Sequence, residues 1–415
     1  MGEVLPAVKI AKLYIEKGGE VIFFSRGGKF EFLAKEIGCE VIQLQKFPWS
    51  ELFKKNKIRK MTTEKMVFDI YKISNIGDMV KEEVEIFKKN KIKAIVSTFN
   101  ITTSISARVQ KIPLFVLISG TSIPPYYKSG FVTFPENYEN FLTKILPESL
   151  KNKIIQWIFL NNKLFFRGLV KDFNFVARKY KIKRFRSLND IVFGDYNLVC
   201  DDINFLGIKP DKDFPLENFI GPITGGLVEK QNDNLDEDIK IHLERSGRSI
   251  LFMMGSFYYK HLYLKILKTL NQTNYNIIAV NPIIPKEELP QLKDNILLKK
   301  FIKTPMLVNK MVDLAIIHGG RGTVYNAAYS GKPVIGVPMH FEQQYNIDNI
   351  VRQKAGLRIS HKFFTEQELL NAITAIFSNY DEFLSNAKNL SKKLSIEKGE
   401  EKAVEKLIET IKYLK

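Results

Sequence analysis

The chain has 415 residues, 45% of them hydrophobic and 26% charged, and carries a net charge of +18. That length exceeds one ordinary core and predicts two domains of about 200 residues each, in a soluble globular protein. The roughly 18–20 apolar residues that span a bilayer are nowhere approached, and the amino terminus lacks the apolar stretch of a signal peptide.

In chain order, residues 6–17 have a helical period and run into Gly18-Gly19 and a strand-like stretch, 20–25. Residues 30–37 read as a helix, 40–44 as a strand, 79–90 as a helix, and 94–97 and 113–118 as strands. Alternation of this kind predicts βαβ units around a parallel sheet. No strand precedes the first helix, although the first strand of a doubly wound sheet is usually central. Either the true start lies upstream or another segment fills that space.

Residues 151–190 carry eleven Lys/Arg against two Asp, a net of +9 and half of the whole charge, with eight aromatics interleaved. Some of these aromatics belong to a core, but a solvated face does not need so much charge. Nucleic acid is excluded as a partner because no recognition motif accompanies the basic residues. An anionic membrane surface is expected instead, met by peripheral association of a cytoplasmic chain, with an acidic small molecule as the other reading of the charge. Cys39 and Cys200 lie far apart, and neither they nor the five histidines have metal-ligand spacing, so a reducing compartment fits.

Residues 209–231 are rich in Pro, Gly and Asp and read as a linker. Beyond it the rhythm returns, with strands at 249–254, 275–280, 296–298, 314–317 and 333–337 and a helix at 259–270. The expected organisation is α/β: an amino-terminal unit, 1–222, and a carboxy-terminal unit, 223–395. A last helix, 396–415, is expected to pack back on the first unit. Two doubly wound, Rossmann-like domains would then face each other across a cleft, with ligands at the carboxyl ends of the strands.

The chemistry concentrates in MVDLAIIHGGRGTVYNAAYSGKPVIGVPMHFEQQYN, residues 311–346. A buried strand ends at His318; Gly319, Gly320 and Gly322 follow, and a helix opens near Thr323. A glycine-rich turn lets backbone N–H groups approach an anion, and the helix amino terminus adds partial positive charge. His318 supplies a side-chain donor to the same anion. The glycines alone would fit a tight turn equally well.

The whole segment resembles the donor signature of the UDP-glycosyltransferase family, His-Gly-Gly-x-Gly-Thr through Pro-x-x-x-Asp-Gln-x-x-Asn. The matching residues are His318, Gly319, Gly320, Gly322 and Thr323, then Pro338, Glu342, Gln343 and Asn346. Gly255-Ser256 after a strand is similar to the family's Gly-Ser turn, and residues 301–305 stand where the family covers the base. Gly2-Glu3-Val4-Leu5-Pro6 resembles the turn that faces the acceptor.

The resemblance implies a GT-B fold and transfer of a hexose from a nucleotide diphosphate sugar, UDP-sugar above all, to an acceptor hydroxyl with inversion. The nucleotide sugar is then a substrate, and neither cofactor nor metal is required. Gly255, Ser256, His318 and the Gly319–Thr323 turn, with Arg321 inside it, would hold the diphosphate. Glu342 and Gln343 would bind the sugar, and the Ile302 backbone the base. Glu3 would be the general base, with His318 stabilising the leaving group. Three departures qualify this: Asn326 stands where the family often has a ribose-binding Glu, Lys303-Thr304 replaces a Pro-Gln pair, and Glu3 replaces a His. They place the chain nearest the sterol and glycopeptide-antibiotic glucosyltransferase branches. A nucleotide-sugar epimerase and a catalytically silent sugar-nucleotide-binding partner remain as alternatives.

Overall fold

A computed structural model of the chain describes residues 4–28, 30–45, 73–98, 100–223, 235–255, 259–281, 284–394 and 398–413. The carboxy-terminal half is built on six parallel strands in the order β11-β10-β9-β6-β7-β8. These are β6 (Ser249–Met253), β7 (Asn276–Val280), β8 (Ile296–Lys299), β9 (Leu314–Ile317), β10 (Val334–Gly336) and β11 (Gly356–Arg358).

Their side chains alternate between two cores, as strand geometry requires. Ile250, Phe252, Ile277, Ala279, Leu314 and Ile316 point to one face, under the helices Lys260–Asn271 and Glu366–Ser378. Leu251, Ile278 and Val280 point to the other, with Val308 and Val312. Burial on both faces is why these strands read as continuous apolar runs.

The amino-terminal half holds two separate parallel sheets. One is β1 (Ile22–Ser25) with β2 (Glu40–Gln43); the other runs β3 (Ile95–Ser97), β4 (Leu114–Ile118), β5 (Tyr196–Val199). Helix α1 (Val4–Glu16) joins them: Ile10 packs with Phe115, Leu117 and Leu198, while Val8 and Ala11 pack with Ala34 and Cys39. A last helix, Gly399–Tyr413, puts Ala403, Val404 and Leu407 into the same core as Ile10, and Lys9 pairs with Glu400 at 3.6 Å.

A buried polar network also ties the sheets. Arg26, just after β1, donates to Glu83 at 2.6 Å and Glu82 at 3.1 Å, both on helix α2 (Ile73–Lys89). Glu83, with no exposed surface, further accepts from Asn100, Thr102 and Ser106.

The two halves share one core, in which Tyr126, Val199 and Phe205 meet Val324, Tyr325 and Tyr345. A polar seam borders it. Tyr126 Oη donates to Asn349 Oδ1 at 3.1 Å, and Gln344 Nε2 donates to Thr133 Oγ1 at 2.7 Å. Glu136 takes Arg358 at 2.8 Å and Ser360 at 2.9 Å. Among the described residues no helix is long and apolar enough to cross a membrane. The expected linker lies partly outside the described residues, since 224–234 are not described.

Candidate active site

Four fully buried residues, Leu314 to Ile317, carry the chain to His318 at the carboxyl end of β9. The turn that follows has no room for side chains. A Cβ on Gly255 would lie 2.5 Å from His318 Cε1, and one on Gly320 would lie 2.4 Å from His318 Nε2. The imidazole is therefore clamped between two glycines from different strand ends. Gly319 adopts φ +88°, and a Cβ there would strike the Gln343 carbonyl oxygen at 2.6 Å. Only glycine fits both conditions.

Helix α3 (Arg321–Ser330) starts immediately after, with Gly320 as its N-cap residue and Thr323 Oγ1 donating back to the Gly320 carbonyl at 2.8 Å. Amides in the first turn of a helix have no intrahelical acceptor, so those of Arg321, Gly322 and Thr323 form a ready anion site. Burial pushes the His318 imidazole down to about 4, His340 adds to the effect, and the Met253 backbone acts the other way. His318 is thus neutral at neutral pH and offers one N–H. Its Nδ1 has no hydrogen-bond partner among the described residues. Asn326 Oδ1, on the next turn of α3, is buried and likewise unpartnered among them.

Helix α4 (Phe341–Arg352) brings the second group. Asn346 Nδ2 donates to the Gly319 carbonyl at 3.0 Å, fixing the glycine turn from behind. Gln343 Oε1 accepts the Met339 N–H at 2.8 Å, a bond that leaves the amide nitrogen of the side chain for other partners. Glu342 sits in the first turn, half-buried. Ile302 is buried among Leu251, Ile278 and Val308, so its side chain is core, and exposed Phe301 precedes it. Glu3 and Ser256 lie outside the described residues.

One group was not read from the sequence. Asp201, two residues past β5, has no exposed surface; its Oδ2 accepts the Gly120 N–H at 2.7 Å, and its Oδ1 has no partner among the described residues. Burial pushes its carboxyl up to about 6. Arg321, the Gly120 amide and Tyr325 oppose that rise, and Glu342 adds to it. The end of β5 in the amino-terminal half thus lies in the field of the turn after β9. The available signal was the apolar run through Cys200 closing on Asp201-Asp202.

Comparison with known proteins gives one coherent picture. Residues 256–411 match the glycosyltransferase family 28 C-terminal domain. UDP-glucuronosyltransferase 2A3 of Mus musculus is 30% identical over 197 residues, which cover 44% of this chain and 35% of that protein. NDP-glycosyltransferase YjiC of Bacillus subtilis is 24% identical over 188 residues, 45% of this chain and 46% of that protein. The chain therefore spans between a third and a half of the length of these two curated relatives. Among solved structures, the glycotransferase of kitacinnamycin superposes with a TM-score of 0.68 at 16% identity, over 99% of this chain and 96% of that one. The fold is GT-B, two Rossmann-like units facing across a cleft.

Proposed function

We propose that the chain is a member of the UDP-glycosyltransferase family and moves a hexose from a nucleotide diphosphate sugar, UDP-sugar first, to an acceptor hydroxyl; the matched carboxy-terminal domain and the relatives support this reading. The observation that carries this reading is the clamped, neutral His318 beside the open amides of the α3 amino terminus.

In this scheme His318 and the Arg321, Gly322 and Thr323 amides receive the diphosphate, with Gly255 and Ser256 closing the far side. The glycines let the phosphate oxygens approach the backbone. Arg321 stands in the first turn, where a cation opposes the helix dipole. The carboxylate of Asp201 and a bound diphosphate are the charges that offset it. In the same scheme Asn326 Oδ1 accepts from a ribose hydroxyl, Glu342 and Gln343 bind the hexose, and the Ile302 backbone meets the base.

Glu3 takes the proton of the acceptor hydroxyl as its oxygen attacks the anomeric carbon. The bond to the β-phosphate side breaks with inversion, and the charge that develops on the leaving diphosphate falls on the donors already aimed at it. The acceptor hydroxyl is carried by a lipid.

The test is direct. A donor held at about 100 times its Kd should raise stability by about 2.7 kcal/mol, a shift a thermal screen of nucleotide sugars detects. Release of UDP that depends on an acceptor, with the anomeric configuration inverted in the product, completes the case. Binding of UDP-sugar without any acceptor-dependent release would leave only a binding partner. Interconversion of one UDP-hexose into another would make the chain an epimerase.

A further inference from the structure

Of the 18 large hydrophobic side chains exposed among the described residues, ten fall between positions 141 and 175. Helix α5 (Glu148–Leu160) shows solvent Ile154, Trp157 and Leu160, three apart on one face and 38%, 53% and 41% exposed. The short helix α6 (Asn162–Phe165) continues the patch with Leu164 and Phe165, and the Trp157 and Phe165 rings meet edge-on at 5.6 Å.

Helix α7 (Arg167–Lys179) changes the chemistry of the same surface. Its inner face, Leu169, Val170, Phe173, Val176 and Ala177, is fully packed. Its outer face carries Arg167, Lys171 and Arg178 around Phe175. Beyond it Lys181, Lys183, Arg184 and Arg186 are exposed. An apolar wedge thus runs into a basic stripe, and folding explains neither, because these helices already bury their other faces. Exposed apolar surface of this extent marks an interaction site.

The partner must take aliphatic and aromatic side chains at one end and many cations at the other. A bilayer with anionic headgroups does both: apolar groups enter the acyl boundary while Lys and Arg meet phosphates. A nucleic acid would use the cations and the aromatics but has nothing to offer Ile154, Leu160 and Leu164.

The place of the patch matters as well. On the inner side of α5, Phe159 stacks on Tyr127 with ring centroids 4.6 Å apart and reaches Phe341 at 5.9 Å. Phe341 opens the helix that carries Glu342. The outer face of α5 therefore stands about one helix diameter, roughly 10 Å, from the start of that helix.

We propose that α5, α6, α7 and the basic loop after them form one membrane-docking face. The wedge of Trp157, Leu160, Leu164 and Phe165 enters an anionic bilayer, and the basic stripe holds the chain flat on it. Docked this way, the acceptor side of the cleft opens at the lipid surface. What is delivered there rests on the transferase reading; the docking itself does not.

The experiment uses the full chain with Trp49 replaced by Phe, which leaves Trp157 as the single tryptophan of the original two. Phosphatidylcholine vesicles, with and without phosphatidylglycerol, are added at low and high salt. Trp157 emission should shift to the blue with the anionic vesicles only, be quenched by brominated acyl chains, and recover at high salt. The double variants Trp157→Ser/Phe165→Ser and Arg167→Glu/Lys171→Glu should each lower vesicle partition by about tenfold or more, with UDP affinity unchanged. No emission shift with any vesicle, full partition in both variants, or binding to a random RNA in place of vesicles overturns the proposal. Vesicle docking without UDP binding in the unmodified chain would instead sink the transferase reading and leave the docking face standing.

Discussion

Polar groups gather at strand ends on both sides of the cleft, but they are treated in opposite ways. On the acceptor side, Glu83 has no exposed surface and accepts from Arg26, Asn100, Thr102 and Ser106. On the donor side, His318 Nδ1, Asn326 Oδ1 and Asn346 Oδ1 are buried with no partner among the described residues. A buried carboxylate held by four donors rigidifies a fold, whereas unpartnered buried atoms call for an explanation. The contrast separates a staple from the proposed binding site. The Arg26–Glu83 cluster holds together two sheets that share no ladder, and the donor turn keeps hydrogen-bonding capacity for a ligand.

The largest expected effect tests the staple. Glu83→Gln would leave the Arg26 guanidinium buried beside a neutral amide, and breaking a buried pair in this way costs about 3–5 kcal/mol of stability. Chemical denaturation should show that loss, and the UDP affinity of the molecules that remain folded should be unchanged. A variant as stable as the parent would mean that the cluster does not hold the sheets.

Donor-side changes should do the reverse. His318→Ala should weaken UDP by about 1.5–3 kcal/mol, the worth of a hydrogen bond to a charged group, with little change in unfolding midpoint. Gly320 has an ordinary φ of −62°, so Gly320→Ala is not strained by its backbone, but its methyl would displace the imidazole. It should therefore copy His318→Ala in titration calorimetry. Undiminished UDP affinity in both variants would remove the phosphate assignment.

What could be read from the sequence divides along the same line. The donor turn lies within one continuous segment, so strand, glycines and helix follow each other and the spacing shows them. The strand expected at 314–317 is observed as Leu314–Ile317, and that at 275–280 as Asn276–Val280. Strands β5 and β11 went unread, because Tyr196-Asn197 and Gly356 interrupt their short apolar runs. The seam was hidden for a different reason. Glu136 and Arg358 are 222 positions apart, and Asp201 meets the Gly120 amide across 81. No local pattern marks such pairs; the first becomes visible only when the two halves close, and the second only when β4 and β5 pair.

Asp201 crosses the division, lying in the amino-terminal half while Arg321 and Tyr325 of the other half act on its carboxyl, and it gives a pH test. His318 is lowered from 6.5 to about 4, so an unfolded chain binds a proton over that window and the folded one does not. Stability from this group is lost as pH falls through it. Asp201 is raised from 3.8 to about 6, so its contribution is present at low pH and is lost as pH rises through that range. Between about 4 and 6 the two slopes oppose each other. Asp201→Asn keeps an acceptor for Gly120 and removes one of them. The variant's stability should then climb with pH more steeply than the parent's, by up to about 1.4 kcal/mol per pH unit. Parallel profiles would mean that Asp201 does not titrate in this window.

The smallest effect concerns Gln343, where structural and functional duties meet in one side chain. Its Oε1 holds the Met339 N–H, and its amide nitrogen is the group proposed to reach the hexose. Gln343→Ala removes both and should lose about 1 kcal/mol of stability together with sugar transfer. Gln343→Glu keeps an acceptor for Met339 but gives up the two amide protons and adds a negative charge near the diphosphate. If the hexose contact is the main duty, both variants transfer sugar poorly, both bind free UDP nearly as well as the parent, and only the alanine form is less stable. If the side chain serves only the turn, the glutamate form transfers normally and the alanine form binds UDP as poorly as it binds UDP-sugar. Measuring free UDP and UDP-sugar on the same two proteins therefore assigns the residue without relying on turnover alone.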